Sequence, residues 1–131
     1  MKNFLYNSDL GLFLFRLFVG LTMAFSHGLG KIPPPQQLIS GVESMGFPFA
    51  IGFAWAAALS EFIGALLLAS GLFTRISASF IAFTMGVAAF VVHNADPFAK
   101  KEMALLYFTA SVMFIFTGAG KYSLDTIIRK K

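Results

Sequence analysis

Arg16 and Glu61 each lie inside a stretch that is otherwise almost wholly apolar. A charge near the centre of a bilayer costs about 2.5–3.5 kcal/mol on insertion scales, so such residues face a bundle interior, find partners and mark ligand or proton pathways. If the two segments run antiparallel, Arg16 sits roughly 10 Å and Glu61 roughly 16 Å from the same membrane face at the helical rise. A long arginine side chain bridges that offset. We therefore expect Arg16 and Glu61 to pair, either as a packing and register device or as part of a site that binds a ligand and handles protons.

More polar residues share the arginine's segment. Arg16, Gly20, His27 and Lys31 fall within about 60° of one another on a helix wheel, an arrangement unsuited to a lipid-facing surface. His93 closes a third apolar stretch and Glu102 opens a fourth. His27, Lys31, His93, Lys101 and Glu102 could therefore gather at one mouth of a bundle as a polar pocket. The candidate ligand-binding residues are Arg16, His27, Lys31, Glu61, His93 and Glu102. No metal site is expected, because the two histidines and the carboxylates show no HxxxH or HxxE spacing. The chain has no cysteine, which removes disulfides, thiolate metal sites, CxxC redox chemistry and CxxCH haem attachment. Axial haem ligation by His27 and His93 stays open. The chain has 17 phenylalanines and six methionines. Most should pack or face lipid, and a slot lined by them would also accept a quinone ring or a lipid tail. Quinone is thus placed ahead of haem as cofactor.

The elements that position these residues follow from composition. Of 131 residues 57% are hydrophobic and 12% charged, with a mean hydropathy of +0.77. A soluble domain is about 45–50% apolar and about 25% charged; lipid is the solvent that this surface needs. Stretches of about 20 apolar residues suffice to cross, and they occur at about 9–27, 49–72, 76–93 and 102–118. The expected fold is an all-α membrane protein, a single domain over 1–131 built as an antiparallel bundle of four transmembrane helices. Ser8 or Asp9 should cap the first helix. Gly46-Phe47-Pro48 punctuates the start of the second and Gly71 its end. The connection from Gly28 to Pro48 holds Pro33-Pro34-Pro35, which is stiff and extended. Its segment from Gln36 to Met45 is too short to span and suits an interfacial helix or a partial lid. Lysines and arginines favour the side that carries both tails and the 71–75 turn, with Lys2, Arg75, Lys121, Arg129, Lys130 and Lys131 there against Lys31, Lys100 and Lys101 opposite. By the positive-inside rule both termini are cytoplasmic; the resemblance described below implies that the membrane is a bacterial inner membrane. The basic residues form no face with interleaved aromatics, so nucleic acid is excluded as a partner. A homodimer suits so small a bundle, though no motif demands one.

The order and spacing of these residues resemble the DoxX family of small four-helix bacterial membrane proteins. The likeness runs through Arg16, Gly20, His27-Gly28 and Lys31, then Glu61-Phe62-Ile63-Gly64, Leu68, Gly71 and Thr74. It ends with Lys101-Glu102, Tyr107 and the closing run from Gly118 to Asp125, where Ala119 departs from the family's usual Gly-Pro-Gly. The resemblance implies a subunit associated with a membrane oxidoreductase system, with redox or stress-response proteins as partners and no thiol chemistry of its own. A non-catalytic scaffold for soluble partners and a small-molecule transporter are the alternatives. A scaffold would have a dry ion pair and no pocket. The transporter ranks last, because small four-helix exporters tend to carry their membrane glutamate in the first span and show little charge bias.

Overall fold

The computed structural model describes residues 4–130; Lys2 and Lys131 of the charge count lie outside them. Helix α1 (Ser8–Thr22) continues through a π-helical turn (Met23–Gly28) and a 3-10 turn (Leu29–Lys31) as one rod. A short helix, α2 (Gln36–Ser44), follows the prolines. The second rod joins α3 (Ala50–Leu59), a π-helical turn (Ser60–Gly64) and α4 (Ala65–Ser70). The third is α5 (Thr74–Val87) with a terminal π-helical turn (Ala88–Val92). Helix α6 (Phe98–Thr117) packs along α5, and α7 (Leu124–Arg129) closes the chain.

The three rods Ser8–Lys31, Ala50–Ser70 and Thr74–Val92 are long and apolar enough to cross a membrane. Helix α6, at 20 residues, is about 30 Å long at the helical rise but carries Lys100, Lys101 and Glu102 in its first turns. The packing follows membrane logic. Buried positions are mostly small, including Ala24, Ala54, Ala58, Ala65, Ala78 and Ala110, while Phe18, Phe25, Phe90, Leu106 and Phe116 point outward. Without a hydrophobic drive between helices, close approach through small residues is what holds such a bundle together. Gly20 is an example: a Cβ there would lie 2.6 Å from the Ala65 carbonyl oxygen and from Ala69 Cβ.

At the end that carries the start of α1 and the close of α6, the Gly118–Asp125 run is latched to three other segments. Arg16, 1% exposed, donates from Nε to the Ala69 carbonyl at 3.3 Å, from Nη2 to Tyr122 O at 2.7 Å, and from Nη1 to Ala119 O. Gly71 ends α4 in the left-handed region, φ 75°, where a Cβ would meet Ser123 Cβ at 2.5 Å, so glycine alone satisfies both the turn and the contact. Asp9 does not cap its own helix. Asn7 does, accepting from Leu10 N at 3.0 Å, which leaves Asp9 to accept from Lys121 N at 3.0 Å.

Asp125 completes the latch by accepting from Phe73 N at 2.8 Å and Thr74 N at 3.0 Å. It caps α5 from a distant segment and holds Phe73 at φ 50°, an uncommon conformation for a bulky residue. Burial pushes this carboxyl up, but the hydrogen bonds from Thr74 and Phe73 together with the Arg129 charge outweigh it and hold Asp125 below its ordinary value. These bonds exist only in the folded chain. Their stabilisation is therefore complete above the unfolded carboxyl range near pH ~4 and is lost as pH falls through the lower folded value. Asp125→Ala should cost about 1 kcal/mol, the usual worth of a helix cap. Thermal melting in detergent at neutral pH and at pH ~3 checks both points, the difference between variant and wild type narrowing in acid.

Candidate functional site

The structure does not pair Arg16 with Glu61. Side chains lean toward the N-terminus of their own helix, so on antiparallel rods these two lean apart. Arg16 is level with Ala69, eight residues beyond Glu61, or roughly 12 Å along the axis. The cation that reaches Glu61 is Lys31, whose Nζ donates to Oε2 at 2.6 Å. The glutamate side chain is 3% exposed and the lysine 34%.

Two π-helical turns, pressed together, set up this pair: Glu61 lies in the second, and Lys31 in the 3-10 turn that follows the first. A turn that closes its bonds over five residues instead of four adds a residue to the winding, and everything beyond it lags by about 100°. In the first rod this turns His27 off the shared face and brings Gly28 onto it. A Cβ on Gly28 would sit 2.5 Å from the Glu61 carbonyl carbon and oxygen, so the two backbones touch there. His27 instead packs edge-on against Tyr107, centroids 5.4 Å apart, and Tyr107 donates to Thr22 Oγ1 at 2.9 Å. Gly28→Ala should force the rods apart at a point where only backbone could yield. We expect a loss of about 1–3 kcal/mol, the range for overpacking, while Gly30→Ala, with nothing within 4 Å of its Cβ, should melt as wild type does.

Above the pair lies a cavity of about 390 Å³. It sits between the second and third rods, not between the first and second, where an Arg16–Glu61 site would have placed it. Lys31 and Glu61 line it with His93, and Phe53, Phe83 and Met85 supply apolar wall. Helix α2 covers it through Leu38 and Val42, with Met45 just beyond, so the Gln36–Met45 segment forms a lid over this end of the bundle. The cavity is a mostly apolar room with a carboxylate, an ammonium and an imidazole on its wall, besides the Ser60 and Thr84 hydroxyls that donate to their own rods, the composition of a small-molecule site.

His93 Nδ1 lies 2.7 Å from Asp96 Oδ2. That hydrogen bond holds the Asp96 carboxyl below its ordinary value; burial opposes the shift, and Lys100, His93 and Lys101 add to it by charge. Asp96 was missed by sequence reasoning, although its i, i+3 spacing from His93 was the available signal. Two other expected members of the mouth stand apart. Glu102 is exposed on α6 outside the cavity wall, and Lys101 Nζ donates to the Asn94 carbonyl at 3.2 Å. His27 and His93 do not face a common cavity, so the site does not offer paired axial ligands to a haem.

Residues 11–94 match the DoxX family profile, a stretch that contains the lid, both π-turns of the ion pair and His93. The chain belongs to the DoxX family. Its sequence is 33% identical over 128 positions to an uncharacterised Haemophilus influenzae protein, covering 89% of this chain and 92% of that one. It is 31% identical over 123 positions to the Bacillus subtilis protein named "Putative oxidoreductase CatD", covering 93% and 90%. A second uncharacterised H. influenzae protein is 30% identical over 131 positions, covering 94% and 86%. No solved structure matches. This DoxX chain is thus a membrane protein. Of the residues on which the sequence resemblance rested, Arg16, Gly71, Thr74 and the closing run meet in the latch, while Gly28, Lys31 and Glu61 meet at the ion pair.

Proposed function

We propose that this protein is a quinone-interacting membrane subunit of an oxidoreductase system, and that the polar ring binds in the cavity over Lys31 and Glu61. The observation that carries this reading is the pair of a buried Glu61 with a partly exposed Lys31 on the wall of an apolar room. The Lys31 ammonium is a donor for one ring oxygen. The Glu61 carboxylate and the His93 imidazole are groups that take or release a proton beside it. Phenylalanine and methionine walls exclude water and hold a flat ring. The quinone itself supplies the two-electron chemistry when bound, and the relative named an oxidoreductase agrees with that class.

In this reading α6 is the fourth crossing, both termini lie on the cytoplasmic side of the inner membrane, and the lid faces outward. The length of α6 and the lysine and arginine bias support it. The test of function is mass spectrometry of the lipid extract from protein purified in mild detergent. Wild type should carry quinone in excess of bulk lipid and Glu61→Gln should carry less. Equal, background amounts in both would overturn the reading.

A further inference from the structure

An open groove of about 540 Å³ runs between the second and third rods on the outer face of the bundle. It adjoins the cavity directly, since Ala56, Ser60 and Phe80 line both. On the second rod it continues past Gly64 to Leu67, which at the helical rise makes it about 16 Å long from Ala56. Its walls hold two serines, yet it presents an apolar surface. Ser60 Oγ donates to the Ala56 carbonyl at 2.7 Å and Ser77 Oγ to the Phe73 carbonyl at 2.9 Å, so both hydroxyls are satisfied within their own rods.

Resting on the headgroup reading above, we propose that the ligand enters the cavity sideways from the lipid through the Ala56–Ser60–Phe80 opening and leaves a single long hydrocarbon tail lying in this groove. The ligand class is then a one-ring or similarly small polar head on one long apolar chain. A cavity of about 390 Å³ holds a head but no long tail, and the groove is the apolar path that leads away from it. The polar end of the path is fixed by Lys31 and Glu61, which gives the occupant its direction. Gly64 keeps the groove floor low, and it does so without being required by packing: a Cβ there would meet only Ile81 Cγ1 at 3.9 Å.

That freedom supplies the test. A benzoquinone bearing a photoactivatable group on a long tail is bound to the full chain in lipid nanodiscs, cross-linked, and mapped by mass spectrometry. Label should concentrate on Ile63, Leu67 and Ile76, and excess untagged long-tailed quinone should remove it. Glu61→Gln should abolish the concentration. Gly64→Phe should move the label off the groove while affinity for the tail-free ring stays within about twofold, a change of well under 1 kcal/mol. Label spread evenly around the lipid-facing perimeter, with the tail-free ring still bound saturably, would overturn the tail path and leave the headgroup reading standing. Failure of the tail-free ring to bind wild type would overturn both.

Discussion

Arg16→Met should be the most damaging single substitution in the chain, lowering stability by roughly 4 kcal/mol. Hydrogen bonds from a charged donor are each worth about 1.5–3 kcal/mol, and Arg16 makes them to carbonyls of Ala69, Ala119 and Tyr122. The sum is not additive, but the loss includes three carbonyls left without this donor and a closing segment freed from the first and second rods. Arg16→Lys should recover part of the loss, since an ammonium is a point charge that cannot spread a planar fork over three acceptors. Thermal melting of the full chain in mild detergent measures both. Because the guanidinium works about 12 Å along the axis from Glu61, ring binding well below the melting temperature should be unchanged in Arg16→Lys. A melting temperature for Arg16→Met within a degree or so of wild type would show that the latch does not hold the bundle.

Lys31→Met should be next, at about 3 kcal/mol. Breaking a buried pair costs about 3–5 kcal/mol, because the remaining charge is left uncompensated. The lower end applies because Lys31 is one-third exposed and water screens part of its charge. Glu61→Gln should cost less, since the lysine can then turn its ammonium toward solvent. Lys31→Met/Glu61→Leu, which removes both charges together, should melt close to wild type, as hydrophobic replacement of buried pairs often does. The order single lysine variant, single glutamate variant, double variant is the signature of a true pair. A double variant that loses the sum of the two single losses would show that Lys31 and Glu61 are not coupled.

Helices, their order and the lid segment were legible in the sequence because apolar length, glycine and proline punctuation act locally. The expected stretches 9–27, 49–72 and 76–93 fall on rods that the structure places at Ser8–Lys31, Ala50–Ser70 and Thr74–Val92. The six expected site residues were only partly assembled as anticipated. Lys31, Glu61 and His93 share the cavity, whereas Arg16, His27 and Glu102 do not. Two physical effects explain the misses at Arg16 and His27. The tilt of side chains toward their own N-termini separates Arg16 from Glu61, and distance arithmetic along the axis omits it. The π-turns rotate the first rod past residue 23, and a wheel drawn at constant pitch carries His27 onto a face that Gly28 in fact occupies. Neither turn leaves a residue pattern of its own. Their presence is written in the contact between Gly28 and the Glu61 backbone, which only the packed bundle reveals.

The most direct test of the central claim uses the double variant. Saturable binding of a tail-free benzoquinone is measured by equilibrium dialysis against wild type and Lys31→Met/Glu61→Leu, in mild detergent and with equal melting temperatures confirmed first. The account predicts saturable binding in wild type and its loss in a double variant that is as well folded. A double variant that binds the ring as tightly as wild type would contradict it, and would reduce the Lys31–Glu61 pair to a register device between two rods.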